Sequence, residues 1–164
     1  MSLTQREAFA RLMEHMCRHD GDGGHGYSQV NRMGDGTVEW VDLGDGVRVS
    51  VAGGDRDCSS GIVTCLRAVG IDTHGASYTG NMREELLKSG AFVWHPMGDG
   101  YVARRGDIYL NEGHHTAMCT SAGPDMLAQF SRSETGGIRG RTGDQDGYES
   151  NIRGYYSYPW DGKL

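Results

Sequence analysis

Proline is scarce in this sequence, with 3 among 164 residues, and cysteine is hardly commoner, with 4. Four cysteines fall well short of the density of a secreted disulfide scaffold, so Cys17, Cys58, Cys65 and Cys119 read as free thiols made in a reducing cytosol. No apolar run approaches membrane-spanning length, and no basic-then-apolar segment opens the chain, which argues against a spanning helix and a secretory signal. No basic block exists either. A net charge of -6 argues against nucleic acid as a partner. No internal repeat and no linker stand out. What is abundant is glycine, 27 residues of it. That many glycines imply tight turns and short strands rather than a helical bundle. The length suits one domain, residues 1–164, around a single core.

The apolar period divides the chain. "LTQREAFARLMEHMC" places Thr4 and Glu7 in capping-box spacing, and Phe9, Leu12, Met13 and Met16 follow at i, i+3, i+4 and i+7. That is an amphipathic helix. The polar, glycine-rich stretch 19–36 reads as loop. "TVEWVDLGDGVRVSVAGG" (37–54) alternates on both sides of Gly-Asp-Gly and reads as a hairpin. From Cys58 the period becomes helical through Ile62, Cys65, Leu66 and Val69, with Gly70 at the C-cap. "TGNMREELLKSG" is a short helix expected to be capped by Thr79 and closed by Gly90. Short strands come next: "AFVWH", then "GDIYL" and "HHTAMCT" as a hairpin, then "MLAQFS" beside them. "YYSYPW" is expected to form a last strand packing on the sheet. Helices first and an antiparallel meander after make the fold class α+β.

Cys58 lies in the first turn of its helix, where free N–H groups and the helix dipole favour a thiolate. A nucleophilic cysteine also needs a base within hydrogen-bond reach. Among seven histidines, His114 and His115 begin a strand directly after a turn, where the sheet holds a ring rigidly. Periodicity alone does not separate them. A base in turn needs an orienting partner, and the polar residue amid the apolar ones of the next strand is Gln129. Its side-chain oxygen can accept an imidazole N–H and fix the tautomer.

Blander readings stand beside this one: Cys58 could be a capped, inert core cysteine, and spacing bears on the others. Cys58 and Cys65 are ~10 Å apart along a helix, too far for a disulfide or easy chelation of one zinc. Cys65 therefore reads as core. Cys119 reads as core too, but shares a strand face with His115. His114 and His115 point to opposite faces of a strand and do not share a metal. The Gly-Asp-Gly turns at 21–23, 34–36, 44–46 and 98–100 lack the spaced carboxylates of an EF-hand loop. No metal and no cofactor are expected.

"DCSSG" at a helix start, "GDIYL…HHTAM" as a strand pair and a polar residue on the next strand resemble the NlpC-type papain-like cysteine peptidases, which cleave amide bonds in bacterial peptidoglycan. "HGYSQVNRMG" and "GGIRGRTGDQDG…YYSYPW" resemble more specifically the phage-encoded peptidoglycan hydrolases of this group. The resemblance covers Gly26 to Asp161 in patches. It implies a papain-like fold, with the nucleophile helix packed on an antiparallel sheet of five or six strands. It implies Cys58 as nucleophile, His115 as base and Gln129 in the third polar position, where many relatives carry His. Tyr27 matches a tyrosine that lines the site and helps bind the oxyanion; Asp57, Ser59 and His114 complete the implied substrate side. Residues 37–54 look like an inserted hairpin relative to shorter members.

The implied activity is cleavage of a D-glutamyl–diamino acid bond in the stem peptide. The alternative with the same residues is an N-acetylmuramoyl-L-alanine amidase. A non-catalytic wall-binding domain of the same fold is a further reading, and an acyltransferase or deamidase acting on host proteins is another. The resemblance also implies a monomer whose partner is the peptidoglycan stem peptide. It would be made in the bacterial cytoplasm without a signal peptide and act on the wall after export or lysis.

Overall fold

The structure, a computed structural model, describes residues 3–17, 25–121, 125–131 and 149–164. Among these residues the order is α1 (Gln5–Cys17), β1 (Val38–Gly44), β2 (Val47–Ala52), α2 (Cys58–Ala68), α3 (Thr79–Lys88), β3 (His95–Pro96), β4 (Ile108–Asn111), β5 (His115–Ser121), β6 (Met126–Phe130), β7 (Ser150–Gly154) and β8 (Gly162–Lys163). β1 and β2 form a sheet of their own. The others form one six-stranded sheet in the order β3-β8-β4-β5-β6-β7, and every neighbouring pair is antiparallel. The fold is α+β.

Each helix forms where the sequence supplies both a face and a cap. Thr4 Oγ1 accepts the Glu7 N–H at 3.1 Å and starts α1. The helix buries Phe9, Leu12, Met13 and Met16. α2 turns Ile62, Cys65 and Leu66 inward. Together the two helices cover one face of the sheet, meeting Ile108, Leu110, Met118, Ala128 and Phe130. Burying a Leu, Phe or Met side chain contributes about 1.5–3 kcal/mol, so these faces hold the helices on the sheet. Gly70 has φ 81° and ends α2 in the left-handed conformation that glycine takes without strain.

The opposite face of the sheet carries Tyr109, Ala117, Cys119 and Leu127. It is covered by the chain that leaves β7. Residues 155–161 cross from β7 at one edge to β8 on the far side of β4, and Tyr156, Tyr158 and Trp160 pack inward. Here the expectation of a last strand over "YYSYPW" is corrected. Side chains alternate as in a strand, but beyond Tyr155, whose N–H still bonds to Asp125 O at 2.9 Å, the backbone of 156–160 joins no ladder among the described residues. The N–H of Tyr158 bonds to Tyr156 O at 2.8 Å and that of Trp160 to Tyr158 O at 2.7 Å, both two residues back. Pro159 has no N–H to offer. The ladder strands are the residues on either side, 150–154 and 162–163.

Two smaller corrections concern α3 and the stretch after it. The N-cap is Tyr78, not Thr79, because Asn81 Oδ1 reaches back to the N–H groups of Ser77 and Tyr78. In "AFVWH" only His95 joins a strand, since β8 is two residues long and offers no further ladder. The expected 37–54 hairpin is present as β1 and β2, closed through Asp45 and Gly46 at φ 53° and 76°. Such a pair of positive φ values matches the strand twist and suits Asp-Gly. The stretches 18–24 and 132–148, which include His19 and "GGIRGRTGDQDG", lie outside the described residues.

Candidate active site

The start of α2 is held from three directions. Asp57 is its N-cap: Oδ1 accepts the Ser60 N–H at 2.8 Å, and Ser60 Oγ accepts the Asp57 N–H at 3.0 Å, a complete capping box. Upstream, residues 26–28 run parallel to Arg56, with Ser28 N to Arg56 O at 3.0 Å and Arg56 N to Gly26 O at 3.1 Å. That bridge sets Tyr27 beside Cys58. Arg56 itself is fully buried. Its guanidinium donates to the carbonyls of Ala52, Gly53, Gly54 and Asp55, and its Nε to Thr64 Oγ1. A buried cation is tolerated only with its donors satisfied, and here they gather the loop from β2 into a fixed approach to Cys58.

The sheet supplies the rest. His115 opens β5 and Gln129 lies on β6, on the face away from the helices. His115 Nε2 stands 2.9 Å from Gln129 Oε1. Tyr156 Oη is 2.6 Å from the same oxygen, and Gln129 Nε2 donates to Asn151 Oδ1 at 3.1 Å. This network assigns the tautomer: with Oε1 as acceptor, Nε2 carries the proton and Nδ1 keeps its lone pair. The Tyr158 and Trp160 rings lie 5.6 and 5.9 Å from the imidazole, centre to centre, and shield the His115–Gln129 bond. The Thr116 N–H, one residue past His115, lies near enough to the Cys58 sulfur to favour its ionised form. The structure thus brings Cys58, His115, Gln129 and Tyr27 to one place, at the junction of the α2 N-terminus and the β5 start.

The electrostatics correct the expectation of a resting thiolate. Burial pushes the Cys58 thiol up to about 11, and the adjacent Asp57 carboxylate adds to the rise. The N–H groups of Thr116, Ser59 and Cys58 pull the other way but do not prevail. Burial also pulls His115 below the usual imidazole value, against the hydrogen bond to Gln129. The pair therefore rests as neutral thiol and neutral imidazole. Helix-terminus stabilisation is local and visible in sequence; desolvation comes from tertiary packing and is the larger effect here. Tyr27 is pushed up to about 12, chiefly by burial, and stays a phenol; its oxygen accepts from Gln29 Nε2 at 2.9 Å.

The remaining implied site residues fall differently. Asp57 and Ser59 are buried in the cap, where Ser59 Oγ donates to Asp57 Oδ1 at 3.2 Å. His114 is exposed, part of the turn before β5 rather than of the strand, and its N–H bonds to Asn111 O. Cys65 packs in the core against Met16, 3.1 Å from sulfur to sulfur. Cys119 donates to Ser121 O, far along β5 from His115. Sequence reading missed Arg32, Arg56, Asn151 and Tyr156. Arg32 pairs with Asp57 Oδ2 at 3.1 Å and donates to Ser59 Oγ at 3.1 Å. Tyr156 carried a usable signal, since it shares its alternation with Tyr158 and Trp160 above a polar Gln129. The other three have none in their spacing.

A cavity of about 230 Å³ lies elsewhere, between Phe9, Leu66, Phe92 and the Arg6–Asp107 pair, at the end of β4 away from His115. Among the described residues no group of three His, Cys, Asp or Glu is placed to hold a metal ion, and no helix is long and apolar enough to cross a membrane. A family model described as an endolysin-like domain matches residues 2–126. That span includes Tyr27, Cys58 and His115 and stops three residues before Gln129. No curated protein and no solved structure matches the chain.

Proposed function

The chain belongs to the endolysin-like domain family, and from that premise we propose that it hydrolyses an amide bond of bacterial peptidoglycan with Cys58 as nucleophile. One observation carries this reading. Gln129 takes Nε2 of His115 and leaves Nδ1 basic, while the next residue's N–H lies near the Cys58 sulfur at the start of α2. A helix-borne thiol beside an oriented imidazole on an antiparallel sheet is the arrangement that the NlpC-type papain-like resemblance implies. We read the fold as that type, the chain as one catalytic unit, and the 37–54 hairpin as an insertion.

In the proposed reaction the Cys58 sulfur attacks the carbonyl carbon as His115 Nδ1 takes the thiol proton. The carbonyl oxygen becomes an oxyanion, received by the Cys58 N–H at the helix start and by the Tyr27 hydroxyl. The imidazolium then protonates the leaving nitrogen, the C–N bond breaks, and a thioester remains. His115 next deprotonates a water that attacks the thioester carbon, and collapse returns the thiol. A resting neutral pair fits this sequence: the proton moves with the attack rather than before it. The bond proposed is the D-glutamyl–diamino acid bond of the stem peptide.

The test is product analysis. Purified wall incubated with the protein releases new amines, and Cys58→Ala abolishes the release. Mass spectrometry of a digested muropeptide shows a free D-Glu carboxyl within the stem. Release of whole stems would overturn the assignment of the bond, and full activity of Cys58→Ala the assignment of the nucleophile.

A further inference from the structure

We propose that Tyr156 is a positioning residue for the reaction, acting through Gln129 to hold His115 in the tautomer that is basic at Nδ1. This rests on the reading of His115 as the base. The crossing segment 155–161 lies outside the family match, which ends at residue 126.

A glutamine amide is ambiguous in a way that matters here. It presents an oxygen on one side and an NH2 on the other, and rotation by half a turn exchanges them. With the oxygen toward His115, the ring is protonated at Nε2 and Nδ1 is a base. With the NH2 toward it, Nε2 must accept, the proton moves to Nδ1, and the ring can no longer take the thiol proton. An Asp in this place would have no such alternative, because both its oxygens accept. Glutamine therefore needs something else to fix its orientation.

The structure supplies it from two sides. Asn151 Oδ1 accepts from Nε2 at 3.1 Å, and the Tyr156 hydroxyl reaches Oε1 at 2.6 Å. Burial pushes Tyr156 up to about 12, so the hydroxyl keeps its proton across the working range and serves as donor. The Arg153 guanidinium lies 4.5 Å from the ring centre and draws electron density from the phenol, which strengthens its donation. Gln129 is 2% exposed, so water does not compete for its oxygen. Both lone pairs of Oε1 are then occupied, one by His115 and one by Tyr156. The two donors on that oxygen favour the orientation with the NH2 turned to Asn151.

The position of Tyr156 follows from the topology. Gln129 pairs with Asn151 across β6 and β7, and the chain turns back over the sheet after Tyr155, whose N–H still bonds to Asp125 O. The first inward ring after the turn falls above the Gln129–His115 pair.

The test uses the full chain and two readouts. Two-bond 1H–15N correlation of the His115 ring shows the Nε2–H tautomer in the wild type and a mixture with Nδ1–H in Tyr156→Phe. Steady-state cleavage of a defined muropeptide by Tyr156→Phe shows kcat lower by about tenfold, the worth of one hydrogen bond, with KM within about twofold. In a Gln129→Ala background, adding Tyr156→Phe costs nothing further in kcat, because the path through Gln129 is already cut. A purely structural hydroxyl would add its loss in both backgrounds, and that result overturns the proposal. An Nδ1–H ring in the wild type also overturns it, whatever the activity. The reading of the protein as a cysteine hydrolase is judged separately, by Cys58→Ala.

Discussion

Gly61 lies one turn into α2 from Cys58 and faces Phe130 on β6. A Cβ built there comes 2.3 Å from Phe130 Cδ2 and 2.5 Å from Cε2. Ordinary carbon contacts lie near 3.5–4.0 Å, so the added methyl sits more than ~1 Å too close. Phe130 is fully buried in the core between the helices and the sheet. Gly61→Ala must therefore lift α2 from the sheet or move Phe130, and Phe130 adjoins Gln129. In an exposed helix the substitution would stabilise by about 1 kcal/mol. Here overpacking costs about 2–3 kcal/mol, at the upper part of the usual range, and leaves a net loss of ~1–2 kcal/mol. For a chain of this size that lowers Tm by about 2–8 °C. The effect on turnover is larger in proportion, because a shift of about 1 Å between nucleophile and base costs ~100-fold. Thermal unfolding followed by circular dichroism reads the first quantity, and amine release from purified wall reads the second. A Gly61→Ala protein more stable than the wild type and equally active would refute the close packing of α2 on β6 as what sets the Cys58–His115 geometry.

Further predictions concern the charges. In the proposed reaction His115 must be neutral to accept the thiol proton, and burial lowers its pKa, so kcat/KM is expected to stay level through neutral pH. It falls only as pH drops below the usual imidazole value of ~6.5; an acid limb centred above 7 contradicts this. Because burial pushes Cys58 up to about 11, alkylation by iodoacetamide is slow at pH 7 and accelerates steadily with rising pH. A fast reaction at pH 6 would show a thiolate–imidazolium pair instead. Asp57→Asn keeps the cap but removes the charge that helps hold the thiol up and that pairs with Arg32, so alkylation at fixed pH becomes faster while loss of the ion pair lowers Tm. Asp57→Ala loses the cap as well and costs about 1 kcal/mol, read as a lower Tm.

Much of the site was legible because it lies on regular elements. The helical period from Cys58 to Val69 and the alternation in β5 and β6 put Cys58, His115 and Gln129 where they are found. The elements needed only local rules, whereas the choice of His115 over His114 came from the family resemblance; the 2.9 Å contact between His115 and Gln129 joins residues on neighbouring strands. What sequence did not disclose depends on distant packing. Arg56 sits in a glycine-rich approach with no period, yet its side chain is fully buried among carbonyls. Asn151 and Tyr156 reach Gln129 only because β7 adds to the sheet edge and the segment after it crosses back. The protonation state of Cys58 also turned on burial, which a helix-terminus argument does not contain. The aromatic run was legible in its side-chain period and not in its backbone, since alternation does not reveal whether a neighbouring strand is present.

The most direct test of a Cys58-centred hydrolysis is to catch the thioester. The protein is mixed with a defined muropeptide, quenched in acid within the first turnover, and its peptides analysed by mass spectrometry. Nucleophilic attack by Cys58 predicts an acyl adduct, its mass equal to the fragment ending at the cleaved carbonyl, on the peptide containing Cys58, and no adduct in Cys58→Ala. An adduct on another residue, or full turnover by Cys58→Ala with none, would contradict it.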